Sequence, residues 1–103
     1  MNKRMLVNLE NCQITEFDQP NFRIGRDGGE ADFYIDNICI SRVHCDILAQ
    51  EDGFRIVDRN SRNGTSVNGT PLVPNQEYPL ATDDIIRIGN IQFLFLAPRG
   101  GDA

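Results

Sequence analysis

Asp84-Ile85-Ile86-Arg87-Ile88-Gly89-Asn90-Ile91-Gln92-Phe93-Leu94-Phe95-Leu96 consists of two short apolar runs separated by two turn-forming residues. Neither run has the three-to-four-residue repeat of an amphipathic helix, and the first is rich in Ile and the second in Phe and Leu, so each reads as a strand. Gly89-Asn90 permits positive φ, which makes the segment a β-hairpin. Ile85, Ile86, Ile88, Phe93 and Phe95 are expected to anchor that hairpin in the core.

Toward the N-terminus the same pattern recurs: short apolar runs are interrupted by Gly, Pro, Asn and Asp, and no segment of ten or more residues keeps a helical period. Strands are predicted at 4–9, 13–16, 21–25, 32–35, 44–49, 53–58, 66–67, 70–72, 76–79, 84–88 and 92–96. About eleven short, mainly antiparallel strands make the fold class all-β and favour a two-sheet sandwich over a barrel. With 103 residues the chain has the usual size of one domain, expected at 1–97, followed by a flexible tail at 98–103.

Hydrophobic residues at 40% and charged residues at 24% are the balance of a folded globular chain, not a disordered one. A formal net charge of -5 argues against nucleic acid or an anionic membrane as partner, because both require a dominant basic surface. The positive charge is nevertheless concentrated: Arg23, Arg26, Arg42, Arg55, Arg59 and Arg62 lie mid-chain, and Lys3 supplies the one ammonium. An arginine fork bonds phosphate bidentately and stays charged, so this balance suits a small anionic site. Cys12, Cys39 and Cys45 lack the spacing of a disulfide framework or a zinc site and read as reduced thiols. Residues 1–17 hold no apolar core of signal-peptide length, and the expected compartment is the cytoplasm.

Three turn-rich segments carry the chemistry. Gly25-Arg26-Asp27-Gly28-Gly29 surrounds an arginine with glycines at a strand end, yet has neither the Lys-Ser/Thr of a phosphate loop nor a following helix. Ser41-Arg42-Val43-His44 offers a hydroxyl, an amide and a guanidinium to an oxyanion. Ser41, His44 and Asp58 are the residue types of a nucleophilic triad, but no nucleophile elbow surrounds Ser41, so no catalytic residue is assigned. Strand alternation would send His44 and Cys45 to opposite faces, so no metal site is expected, and no cofactor. In Asp58-Arg59-Asn60-Ser61-Arg62-Asn63-Gly64-Thr65-Ser66-Val67-Asn68-Gly69-Thr70, two Asn-Gly turns bracket a very short strand.

Taken in order and spacing, Gly25-Arg26, Ser41-Arg42-Val43-His44 and Asn63-Gly64-Thr65 through Asn68-Gly69 resemble the forkhead-associated (FHA) domain family over about residues 4–96. The resemblance implies an eleven-stranded sandwich whose loops at one end bind phosphothreonine peptides, in Ser/Thr-kinase signalling or assembly, without enzymatic activity. It implies that Arg26 and Ser41 contact the phosphate, Arg42 the phosphate or the peptide backbone, and Asn63 the ligand main chain. Arg62 stands where the family often has a small hydroxyl residue, and would add charge or face solvent. His44 would brace the loops from beneath, while Gly25, Gly64, Thr65, Asn68 and Gly69 would support them structurally. The alternative is an interaction or oligomerisation module on the same sandwich, with no dependence on phosphate.

Overall fold

A computed structural model describes residues 3–97, and the expected tail at 98–103 lies outside the described residues. Eleven strands run in chain order: β1 (Arg4–Asn8), β2 (Ile14–Phe17), β3 (Asn21–Gly25), β4 (Phe33–Tyr34), β5 (Cys45–Gln50), β6 (Gly53–Asp58), β7 (Thr65–Val67), β8 (Thr70–Pro71), β9 (Glu77–Leu80), β10 (Ile85–Ile88) and β11 (Ile91–Leu96). They form a six-stranded sheet of order β2-β1-β11-β10-β7-β8 and a five-stranded sheet of order β4-β3-β5-β6-β9. Among the described residues all pairings are antiparallel except β3 with β4.

Two tight turns explain much of the register. Val67 pairs with Thr70 across Asn68-Gly69, both at positive φ (51° and 86°), as a type I′ hairpin requires. Ile88 pairs with Ile91 across Gly89-Asn90, with Gly89 at φ 60°. From that register Ile86, Ile88, Phe93 and Phe95 face the buried space between the sheets, where they meet Leu6, Ile24, Ile47 and Ile56. Ile85 corrects the sequence expectation: it is 39% exposed, because it pairs with Leu94 and alternation turns both away from the core. A row of Ile14, Val7, Leu94 and Ile85 therefore crosses the outside of the six-stranded sheet.

The five-stranded sheet is fastened on its outer face by charge. Asp46 on β5 is fully buried and accepts from Arg23 Nε (2.9 Å) and Nη2 (3.0 Å) on β3, and from Arg59 Nε (2.8 Å) just after β6. Burial pushes the Asp46 carboxyl up, but the hydrogen bonds and charges of the two arginines outweigh it and hold it below the usual carboxylate range. Two of the six mid-chain arginines are thus structural, and Arg55 pairs with Asp52 at 3.0 Å. Arg4 is also buried, donating to the Gln19 carbonyl with its guanidinium between the rings of Phe17 (5.1 Å) and Phe54 (5.3 Å).

Replacing Asp46 with Asn should lower unfolding free energy by about 2 kcal/mol in urea titrations, the loss expected for charged hydrogen bonds. Because the folded carboxyl titrates below its ordinary 3.8, its contribution is present above that pH and is lost as pH falls further. Asp46→Asn should flatten that part of the acid profile.

Candidate functional site

The site starts from a steric condition at Gly25. A Cβ there would lie 2.0 Å from the Arg42 carbonyl oxygen and 3.2 Å from Val43 Cα, so only glycine lets the end of β3 meet the 41–43 segment. That approach extends the β3–β5 ladder into the loops. His44 N–H donates to Ile24 O (2.9 Å), Arg26 N–H to Ser41 O (2.9 Å) and Asp27 N–H to Arg42 O (3.2 Å).

His44 joins this pair of loops to the third. Its ring is fully buried, Ser41 N–H donates to Nδ1 (3.0 Å), and Nε2 lies 2.9 Å from Gly64 O. Since Nδ1 accepts, the proton sits on Nε2 and is donated to the Gly64 carbonyl, which fixes a neutral tautomer. Burial lowers the imidazole pKa from its ordinary value, against the opposing effects of the Gly64 carbonyl and of Asp58. Gly64 O also accepts from Gly89 N–H (3.1 Å).

The third loop is folded around buried Asp58, which accepts from Ser61 N–H (3.1 Å), Ser61 Oγ–H and Thr65 Oγ1–H (2.6 Å). Gly64 N–H donates back to Ser61 Oγ (3.0 Å), with Gly64 at φ 83°. Thr65 is buried in this network.

Three bonds then position the polar side chains. Arg26 Nε–H donates to Ile40 O (2.9 Å), leaving both terminal NH2 groups for a ligand. Arg62 N–H donates to Ser41 Oγ (2.9 Å), so the Ser41 hydroxyl is an acceptor here and its proton is available to an oxyanion. Asn63 Nδ2 donates to Cys39 O (2.9 Å), which leaves its Oδ1 and second N–H for a peptide main chain. Arg26 and Arg42 are exposed and line one depression with Asp27, Gly28 and Tyr34; the Asp27 carboxylate there accepts from Gly29 N–H (3.0 Å).

The fold therefore gathers Gly25, Arg26, Ser41, Arg42, His44, Arg62, Asn63, Gly64 and Thr65 at one end. Asn68 and Gly69 sit elsewhere. They form the turn at the far end of β7, where Asn68 Nδ2 donates to Asp84 Oδ1 (2.9 Å) and its Oδ1 accepts from Ile85 N–H (2.9 Å). The carbonyls of Cys39 and Ile40 were not foreseen as anchors, because nothing in a side-chain pattern marks a backbone acceptor. Tyr34 lines the depression with Arg26 and Arg42, and its place at the end of a short strand beside the Gly28 loop is a usable sequence signal for that.

Among the described residues, no cluster of three His, Cys, Asp or Glu side chains is arranged to hold a metal, and no helix is long and apolar enough to cross a membrane. Residues 22–89 match the family model of the FHA domain. The chain belongs to the FHA domain family. It is 39% identical over 80 residues to the oxoglutarate dehydrogenase inhibitor of Corynebacterium efficiens, covering 78% of this chain and 54% of that protein. It is 33% identical over 87 residues to the glycogen accumulation regulator GarA of Mycolicibacterium smegmatis, covering 84% of this chain and 52% of that one. The FHA chain thus spans about half the length of these curated relatives. A solved structure from a study of phosphothreonine-dependent FHA domain interactions superposes with a TM-score of 0.81 at 26% identity, covering 96% of this chain and 99% of that one.

His44→Ala should cost about 2 kcal/mol in urea unfolding, by stranding the Ser41 N–H and removing one partner of Gly64 O. In the wild type, the unfolded chain binds more protons than the folded one between the lowered folded pKa and 6.5. Stability should therefore be full above about pH 6.5 and decline as pH falls below it, a dependence that His44→Ala removes.

Proposed function

We propose that this FHA domain binds phosphothreonine-containing proteins or peptides through the Gly25–Arg26, Ser41–Arg42 and Arg62–Asn63 loops. The observation that carries the reading is the convergence of Arg26, Ser41 and Asn63, each tied by one bond and each with donor capacity left over. A phosphorylated threonine brings about -1.5 to -2 charge and three acceptor oxygens. Arg26 and the Ser41 hydroxyl supply charge-assisted and neutral donors to those oxygens, Arg42 reaches the phosphate or the adjoining peptide backbone, and Asn63 holds the main chain. Arg62 adds a cation at the rim, its backbone already fixed on Ser41.

Binding rather than catalysis is the assigned role. Both ring nitrogens of His44 are engaged, and Nδ1 faces the Ser41 backbone amide instead of the hydroxyl, so the ring has no vacant nitrogen to deprotonate a nucleophile. The relatives named as an enzyme inhibitor and a metabolic regulator support a partner that is itself a protein. We propose that this partner is met in the cytoplasm and is phosphorylated by a Ser/Thr kinase. A phosphate-independent docking or oligomerisation role is the second reading, favoured by the outward row of Ile14, Val7, Leu94 and Ile85, with Ile14 59% exposed.

Isothermal titration with a phosphothreonine peptide tests the assignment. Arg26→Ala and Ser41→Ala should each weaken binding by at least about tenfold, with thermal melts close to wild type and no binding of the unphosphorylated peptide. Equal affinity of Arg26→Ala and wild type would refute the site. Partner capture that survives phosphatase treatment would favour the second reading.

A further inference from the structure

The arginines of this domain divide by partner. Arg23, Arg55 and Arg59 each lie within 4 Å of a carboxylate, whereas no ion pair among the described residues involves Arg26, Arg42, Arg62 or Arg87. The first three of that second group belong to the binding loops already described. Arg87 does not, and the phosphothreonine reading leaves it unused.

Its placement is specific. On β10 Arg87 pairs with Ser66 of β7 on one side and Gln92 of β11 on the other, so its cross-strand neighbours carry no charge. The side chain is exposed, and Nε–H donates to Gly89 O (3.1 Å), which holds the guanidinium toward the turn whose N–H bonds Gly64. Arg87 and Asn63 line the same depression, together with Gly64, Thr65, Ser66, Pro71 and Gly89. A peptide whose main chain is held at Asn63 has this depression as its next surface, and the cation at its edge has both terminal NH2 groups open.

We infer that Arg87 is a specificity-determining residue that selects, in the peptide flanking the phosphothreonine, an acidic side chain lying in the Asn63–Arg87 depression. The inference rests on the phosphothreonine reading and goes beyond it by naming the chemistry of the flank. An extended peptide advances about 3.3 Å per residue, so the recognised carboxylate falls a few residues from the phosphothreonine, and on one side of it only.

The test uses a set of phosphothreonine peptides in an alanine background, with glutamate moved through the four positions on either side of the phosphothreonine. Affinities are measured for the wild-type domain, Arg87→Ala and Arg87→Glu, with thermal melts as the check on folding. Glutamate at one flank position, or two alternate positions on the same side, should tighten wild-type binding by about fivefold, the upper range for a solvent-exposed ion pair. The gain should vanish in Arg87→Ala, while the all-alanine phosphopeptide binds both proteins alike. In Arg87→Glu, lysine at that position should become the favoured residue. A wild-type gain that persists in Arg87→Ala, or the lack of any position-specific gain, would overturn the role of Arg87 while leaving phosphothreonine recognition intact. Failure of every phosphopeptide to bind the wild type would overturn the phosphothreonine reading itself, and this inference with it.

Discussion

One neutral imidazole holds the rim of this domain together. His44 takes a hydrogen bond from the Ser41 backbone on one side and gives one to the Gly64 carbonyl on the other, joining loops twenty residues apart in sequence. A side chain with a single polar end cannot do both, and a protonated ring would aim Nδ1–H at an N–H. Two glycines make the connection sterically possible. Gly25 admits the Arg42 carbonyl, and at Gly89 a Cβ would sit 2.7 Å from the Cys39 carbonyl and 2.9 Å from Ile40 Cδ1. The carbonyls of Cys39 and Ile40, presented between these approaches, are the atoms on which Asn63 and Arg26 rest.

Charge is distributed with the same economy. The chain carries a net -5, yet its exposed end presents Arg26, Arg42 and Arg62 with no ion-pair partner among the described residues. Asp46 is part of the reason. By pairing with Arg23 and Arg59 on the outer face of the five-stranded sheet, it offsets the charge of two cations and ties β3, β5 and the end of β6 to one another. The strands that deliver Gly25 and Asp58 to the site are the ones so tied, which links the outer-face ion pairs to the geometry of the loops.

Much of the fold was legible because its signals are local. Asn68-Gly69 and Gly89-Asn90 each announce a two-residue turn, and a turn fixes register on both sides of it. What stayed hidden depends on neighbours distant in sequence. The apolar run of β10 does not reveal that only one of its faces is covered, so Ile85 reads as a core residue although its pairing with Leu94 turns it out. Arg23 and Arg59 look like site residues until Asp46 is seen between them. The Arg62 backbone bond to Ser41 Oγ spans 21 positions and leaves no trace in residue type. Arg87 had a signal that went unused: alternation along β10 turns it outward, and no acidic residue stands opposite it. The resemblance makes Asn68 and Gly69 turn-setting supports of the loops, and no residue type shows that their turn lies at the far end of β7 from Thr65.

Three braced loops that form one surface for a phosphorylated threonine should report its arrival together, and amide NMR spectra recorded during titration with a phosphothreonine peptide read this out. Shifts should concentrate at Arg26, Ser41, Arg42, Arg62 and Asn63, together with the Arg26 side-chain Nε–H, with none from the unphosphorylated peptide. Shifts centred instead on Val7, Ile14, Ile85 and Leu94, or equal responses to both peptides, would contradict that single surface.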